Sequence, residues 1–311
     1  MVRVVSKTFD ESIIKNVYVH KNAVDAQVQA IIANNPVYKP KTLASWLVKT
    51  VMVIDLTTLA GDDTRSNVTR LCVKAANPLS PEVLQKLGLQ KGKVRTAAVC
   101  VYPSRVADAH GVIQRMGVVK EIQIASVATG FPSGLYPLSS RLLEIKLAIA
   151  DGANEIDVVL DRSLVLSGKW DVLFDEVLQM RRACDGAHMK VILGVGELGT
   201  YDNVYKASMV SMLAGADFIK TSTGKEAVNA TLPIGLVMCR AIRKYYQMTG
   251  FKVGLKPAGG IKTAQDAVNW LILVHSELGP EWLSPKLFRI GASSLLDVIE
   301  DHLLKNDTKL V

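Results

Sequence analysis

The chain has 311 residues, 49% of them hydrophobic and 6% aromatic, an ordinary globular composition that excludes collagen-like, low-complexity and disordered classes. Its 37 Lys and Arg against 29 Asp and Glu leave a net charge of +8. That invites an anionic partner, but the basic residues are dispersed, so a phosphate-bearing metabolite is expected rather than nucleic acid.

The first residues, "MVRVVSKTFDESIIK", lack an apolar signal core, and runs such as "LAIA" and "WLILV" are too short to cross a bilayer, so a cytoplasmic protein without a membrane partner is expected. Residues 1–50 read as extra helices that cap the N-terminal end of whatever follows. From Val51 onward, short β-rich apolar runs alternate with amphipathic helical stretches. The strand candidates are 51–55, 96–101, 122–128, 155–160, 190–196, 217–221, 252–258 and 288–293, nearly continuous in apolarity as parallel strands buried on both faces are. The helices between them begin at Ser, Thr or Asp caps (the first at Ser66) and several end in glycine. "DGANEID" and "AGADFIK" look like one helix-to-strand turn used twice.

Eight strand–helix units in this length predict an α/β fold, a (β/α)8 TIM barrel over 51–304 with an N-terminal helical extension over 1–50 and a short tail over 305–311. A doubly wound sheet is the rival, but strand 1 is followed by "DLTTLAGDD" rather than a glycine-rich turn.

In such a barrel the chemistry lies at the C-terminal ends of the strands. Asp55 ends strand 1, Lys220 ends strand 6 and Lys256 lies near the end of strand 7, one βα unit on. Asp157 is inside strand 4, where alternation points it into the barrel with Glu155 and Val159. Two ammonium groups about 5 Å apart at an effective dielectric of about 20 repel by roughly 3 kcal/mol, enough to leave one amine largely neutral near pH 7. A neutral amine attacks carbonyls. A structural triad, with Asp157 neutralising both lysines, is the competing reading, and spacing alone does not say which lysine attacks.

A phosphate signal is independent of the lysines. Strands 7 and 8 are followed by "PAGGIKT" and "GASSLLD", the two loops with which barrels bind phosphate. Gly259 and Gly260 allow close backbone approach, Ser293 and Ser294 open the next helix, and Lys225 adds charge from loop 6. None of the five histidines ends a strand, the four cysteines are widely spaced, and no nucleotide fingerprint is present, so neither a metal nor a cofactor is expected.

These residues carry a resemblance. "VIDLTTLAGDD", "AAVCVYP", "ASVATGFPSG", "EIDVVL", "ADFIKTSTGKEAVNAT" and "LKPAGGIKTAQDA" resemble the deoxyribose-phosphate aldolase family in its eukaryotic form. The family cleaves 2-deoxy-D-ribose 5-phosphate to acetaldehyde and D-glyceraldehyde 3-phosphate through a lysine Schiff base, in deoxyribonucleotide catabolism. The resemblance implies that Lys220 forms the Schiff base, that Lys256 lowers its proton affinity, and that Asp157 moves protons through a water. It further implies that Asp55, Thr57, Cys100, Thr221 and Thr223 line the substrate, with Gly224, Lys225, Gly259, Gly260, Ser293 and Ser294 at the phosphate end. A homo-oligomer is compatible with this reading. Gly194, Val195 and Leu255 depart from the usual pattern. The ending "KNDTKLV" lacks the terminal tyrosine of bacterial relatives, which implies slower proton exchange or another donor. Another Schiff-base sugar-phosphate aldolase or transaldolase, or a non-catalytic barrel binding a phosphometabolite or nucleic acid, are the alternatives.

Overall fold

The computed structural model describes residues 8–37 and 40–305; the tail expected over 305–311 lies, from residue 306 on, outside the described residues. Eight parallel strands follow one another in chain order: β1 Ile54–Thr57, β2 Ala98–Val101, β3 Gln123–Ala128, β4 Glu155–Val159, β5 His188–Ile192, β6 Phe218–Lys220, β7 Gly254–Lys256 and β8 Ile290–Ala292. Each pairs with the next as far as β7, and β8 pairs with β1. The remaining seam is closed by bridges between Leu255 and Phe288 and between Ala258 and Gly291. The fold is the expected (β/α)8 barrel.

Strand patterning decides which side chains face where. Ile156, Val158 and Leu160 join the apolar layer between sheet and helices, as do Met189, Val191 and Leu193 of the next unit. The alternate residues Glu155 and Asp157, with Lys190 opposite them, face the barrel axis, because side chains alternate across a strand. The anticipated repeated turn is present. After the helices Leu138–Ala150 and Tyr201–Leu213, Gly152 (φ 110°) and Gly215 (φ 105°) turn the chain. In both, the next amide bonds back five residues, Ala153 N–H to Ala148 and Ala216 N–H to Ser211. That is a Schellman stop, and it needs the left half of backbone space that glycine enters freely.

The strands are shorter than the apolar runs. Val51 and Met52, expected in strand 1, instead complete the helix Pro40–Met52, because Ala44, Leu47 and Val51 fall on one buried face at helical spacing. The helix expected to start at Ser66 begins at Arg65 and is capped by Thr64, whose hydroxyl accepts from Asn67 N–H. The described residues of the extension do not close the N-terminal mouth as expected. Helix Lys21–Asn34 packs on the outer helices Leu232–Thr249 and Ala264–Leu278, and helix Pro40–Met52 packs on Ala264–Leu278 and Leu295–Lys305. Its apolar residues extend the outer layer, so it clads the flank of the barrel.

At the lower end of the axis Phe218 fills the space beneath β7. A Cβ added at Gly254 would lie 2.4 Å from the Phe218 ring, so Gly254→Ala is expected to cost about 1–3 kcal/mol by overpacking. Urea unfolding measures this; an unchanged midpoint would mean that the ring relocates freely.

Candidate active site

The barrel axis is filled by charge. Asp157 Oδ1 accepts from Lys190 Nζ at 2.9 Å, and its Oδ2 accepts from Lys220 Nζ at 2.9 Å and from Lys256 Nζ at 2.7 Å. Lys256 Nζ also lies 2.5 Å from Asp55 Oδ2, and Asp55 Oδ1 lies 2.7 Å from Arg289 Nη1. Arg289 clamps Glu155 with both nitrogens, at 2.7 and 3.1 Å, and Glu155 lies 2.6 Å from Lys190 Nζ. These contacts close a ring: Arg289, Glu155, Lys190, Asp157, Lys256, Asp55 and back to Arg289. Cation and anion alternate around it, so the ring is neutral as a unit. Lys220 hangs from Asp157 outside the ring, as the one extra cation.

All seven side chains are buried. Burying charges costs several kcal/mol per ion before pairing returns any of it, so such a column is weak evidence for stability and better evidence for chemistry. Burial pushes the Asp157 carboxyl up, but Lys190, Lys220 and Lys256 together outweigh it and hold it well below the usual range. Asp55 is held low in the same way, burial being outweighed by Lys256, Arg289 and Lys190. Burial pushes Lys256 down, yet Asp157 and Asp55 win, so its ammonium is held above the usual lysine range. The mutual repulsion expected of the two lysines is therefore met by intervening carboxylates, which favour the protonated form of Lys256.

Above the ring, the C-terminal mouth opens into a cavity of about 430 Å³. Lys220 reaches it, whereas Lys256, Asp157 and Asp55 lie beneath. Thr57, Thr223, Gly224, Lys225, Gly259, Gly260, Ser293 and Ser294 line it, all anticipated from sequence, with Thr58 and Lys262 added. Thr221 is not among the lining residues. Its buried hydroxyl accepts from Ala258 N–H at 3.0 Å and approaches Ala258 O at 3.3 Å, which ties loop 6 to loop 7. Cys100 is likewise fully buried, in an apolar patch with Ala125 and Val127 against which Leu59, Tyr102 and Phe131 pack. Burial pushes its thiol up, so it behaves as a small hydrophobe.

The loops are held by their own side chains. Lys225 Nζ donates to Leu59 O at 3.0 Å, reaching from loop 6 to the β1 loop. The carboxylate of Glu226 accepts from Thr223 N–H at 3.0 Å, Thr223 Oγ1 at 2.7 Å and Gly224 N–H at 3.1 Å. Thr129, at φ 65°, is fixed by its hydroxyl, which donates to Val159 O and accepts from Val159 N–H. That conformation is rare for a β-branched residue, and it sets the loop that carries Phe131.

A larger cavity, about 790 Å³, opens at the N-terminal mouth and is lined by Glu155, His188 and Arg289 among others. Size does not choose between the two, because the only lysine of the ionic cluster that reaches open space does so in the smaller one. Sequence reading missed Lys190, Arg289 and the charge role of Glu155. Lys190 is a charge inside an apolar strand, Arg289 immediately precedes β8, and Glu155 opens β4 on the same face as Asp157; those were the available signals. Among the described residues no three His, Cys, Asp or Glu side chains form a metal-ligand set; the ring carboxylates converge on the chain's own cations. No described helix is long and apolar enough to cross a membrane.

Comparison with known proteins adds a family. Residues 49–299 match the model described as DeoC/LacD family aldolase. The chain is 56% identical over 299 residues to the deoxyribose-phosphate aldolase of Mus musculus and 54% identical to that of Homo sapiens. Each alignment covers 96% of this chain and 93% of the relative. Among solved structures, the deoxyribose phosphate aldolase of Aeropyrum pernix superposes with a TM-score of 0.61 at 24% identity. That match covers 90% of this chain and 97% of the other, and it bears on the fold.

Proposed function

Because the chain belongs to the DeoC/LacD family of aldolases, we propose that Lys220 is its Schiff-base lysine, with Lys256 and Asp157 as its partners. The reaction is the reversible retro-aldol cleavage of 2-deoxy-D-ribose 5-phosphate to acetaldehyde and D-glyceraldehyde 3-phosphate, and the enzyme is a lyase. One observation carries the choice of lysine: Lys220 is the cation outside a neutral ring and the lysine of that cluster that lines the upper cavity. A proton lost from Lys220 leaves three cations and three anions still paired. A proton lost from Lys256 breaks the ring.

The neutral amine of Lys220 adds to the open-chain aldehyde, and loss of water gives an iminium. The iminium draws the electron pair of the breaking C2–C3 bond as the 3-hydroxyl gives up its proton, which releases D-glyceraldehyde 3-phosphate. The enamine left on Lys220 takes a proton at C2 and is hydrolysed to acetaldehyde. The iminium carries the same charge as the ammonium it replaces, so Asp157 stabilises both. Asp157 exchanges protons with these species through a water, and Lys256, kept protonated between two carboxylates, disfavours a second cation beside it. Asp55 anchors Lys256 from below. Thr57 and Thr223 border the sugar, Thr221 holds loops 6 and 7 together, and Cys100 belongs to the apolar wall. Gly224, Lys225, Gly259, Gly260, Ser293 and Ser294 receive the phosphate, with Lys262 as a further cation. No cofactor takes part, and the setting is cytoplasmic. The extension over 1–50 clads the flank of the catalytic barrel over 51–304 and supplies none of these residues.

Borohydride reduction in the presence of substrate, followed by peptide mass spectrometry, tests the assignment. The adduct is expected on the peptide that contains Lys220. An adduct on Lys256 alone, or none, sinks it.

A further inference from the structure

The upper half of the ring belongs to the mechanism just proposed; the lower half does not. Lys190 is fully buried, and Glu155 and Arg289 face the N-terminal cavity. None of the three lines the upper cavity. Yet Lys190 shares Asp157 with Lys220, each on its own carboxylate oxygen, at 2.9 Å in both cases. Glu155 holds Lys190 from below at 2.6 Å and is itself clamped by Arg289.

We infer that Lys190, Glu155 and Arg289 are positioning residues that fix the net charge of the ring and thereby set how readily Lys220 gives up its proton. This rests on the Schiff-base role of Lys220. Around a neutral ring the extra proton on Lys220 is held by Asp157 alone, against Lys190 and Lys256. Removing a ring cation makes the ring negative, and Lys220 keeps its proton to higher pH. Removing a ring anion makes the ring positive, and Lys220 releases its proton at lower pH. The groups facing Lys220 are Asp157 on β4 and, through it, Lys190 on β5 and Lys256 on β7; Asp55 on β1 lies on the far side of Lys256, and the Cys100 thiol on β2 is close enough to feel Lys220. Glu155 faces Lys190, Arg289 and the His188 ring, whose Nδ1 is 3.9 Å away. Burial pushes the His188 imidazole down, away from the lysine range.

The test is the acid limb of kcat/KM against pH in the full-length enzyme, with the fold checked by circular dichroism. Lys190→Met is expected to raise that limb by about one pH unit and Glu155→Gln to lower it by a similar amount, the scale of one charge added or removed several ångströms away. The double variant, again balanced, is expected to return the limb to the wild-type position. A purely structural role would weaken the fold in all three without moving the limb in opposite directions, and that result overturns the inference. If Lys190→Met does not fold, the near-isosteric Glu155→Gln decides alone: a limb that stays or rises is contrary. Absence of a Lys220 adduct in the wild-type enzyme defeats the Schiff-base assignment instead, so the two failures are distinguishable.

Discussion

Lys220→Met is expected to abolish the borohydride adduct and to lower kcat on the order of 10⁴-fold or more, the scale on which loss of a covalent nucleophile registers. The fold should survive. Lys220 hangs outside the ring, and methionine keeps most of its buried stem. Asp157 retains Lys190 and Lys256 at 2.9 and 2.7 Å, so no buried carboxylate is left unpaired. Lys256→Met gives the contrasting outcome. The ring then carries one surplus anion, Lys220 holds its proton more firmly, and the adduct forms on Lys220 but slowly at neutral pH. The comparison reads adduct position, adduct rate and kcat together. Equal loss of the adduct in both variants would mean that the two lysines share the nucleophilic role, which ring membership excludes.

Much of the barrel was legible because its signals are local. Near-continuous apolar runs, glycine stops and threonine caps recur at a regular spacing, and Thr263 with Asp266 even forms a full capping box. Strand ends were not legible, since a short apolar run such as 51–55 is compatible with either period. The extension was misplaced for a different reason. Amphipathic patterning says that helix Lys21–Asn34 has a face to bury, but not which surface receives it.

The site divided along the same line. Asp157, Lys220 and Lys256 could be found because strand number, alternation and strand-end position are readable from order alone. Arg289 could not, because its partners Asp55 and Glu155 lie 234 and 134 residues away, and only closure of the barrel brings them together. The same holds for sign. Two neighbouring lysines predict a lowered proton affinity for one of them, but the carboxylates between them decide where the loss falls. For Lys256 they reverse the direction outright. Thr221 and Cys100 show the converse: strand-end residues whose buried side chains do not line the cavity, Thr221 because it ties loop 6 to loop 7 and Cys100 because it packs inside the barrel beside the ionic cluster.

Asp157→Asn should separate imine formation from turnover. The substitution keeps the shape of the side chain but removes the anion shared by Lys190, Lys220 and Lys256. Three buried ammonium groups then have Glu155 and Asp55 as their nearest counter-charges, and their protons are held less tightly. Lys220 is therefore more often neutral, and the borohydride adduct still forms. Proton movement through Asp157 is lost, and kcat is expected to fall about 10²–10⁴-fold, the range for a positioned acid–base group. Leaving buried cations without their partner also costs roughly 3–5 kcal/mol of stability near neutral pH. The sign of its pH dependence is fixed. In the variant, folding depresses lysine proton affinity below the unfolded value of about 10.4, so the unfolded chain binds more protons and stability rises with pH up to that value. In the wild-type enzyme Lys256 is shifted the other way, so its contribution is fully present across the same range. Chemical denaturation at pH 7 and pH 9 reads the difference: the variant should gain more stability over that interval than the wild-type enzyme does. A variant that traps no imine would place Asp157 in the amine-activating step rather than in the proton transfers that follow it.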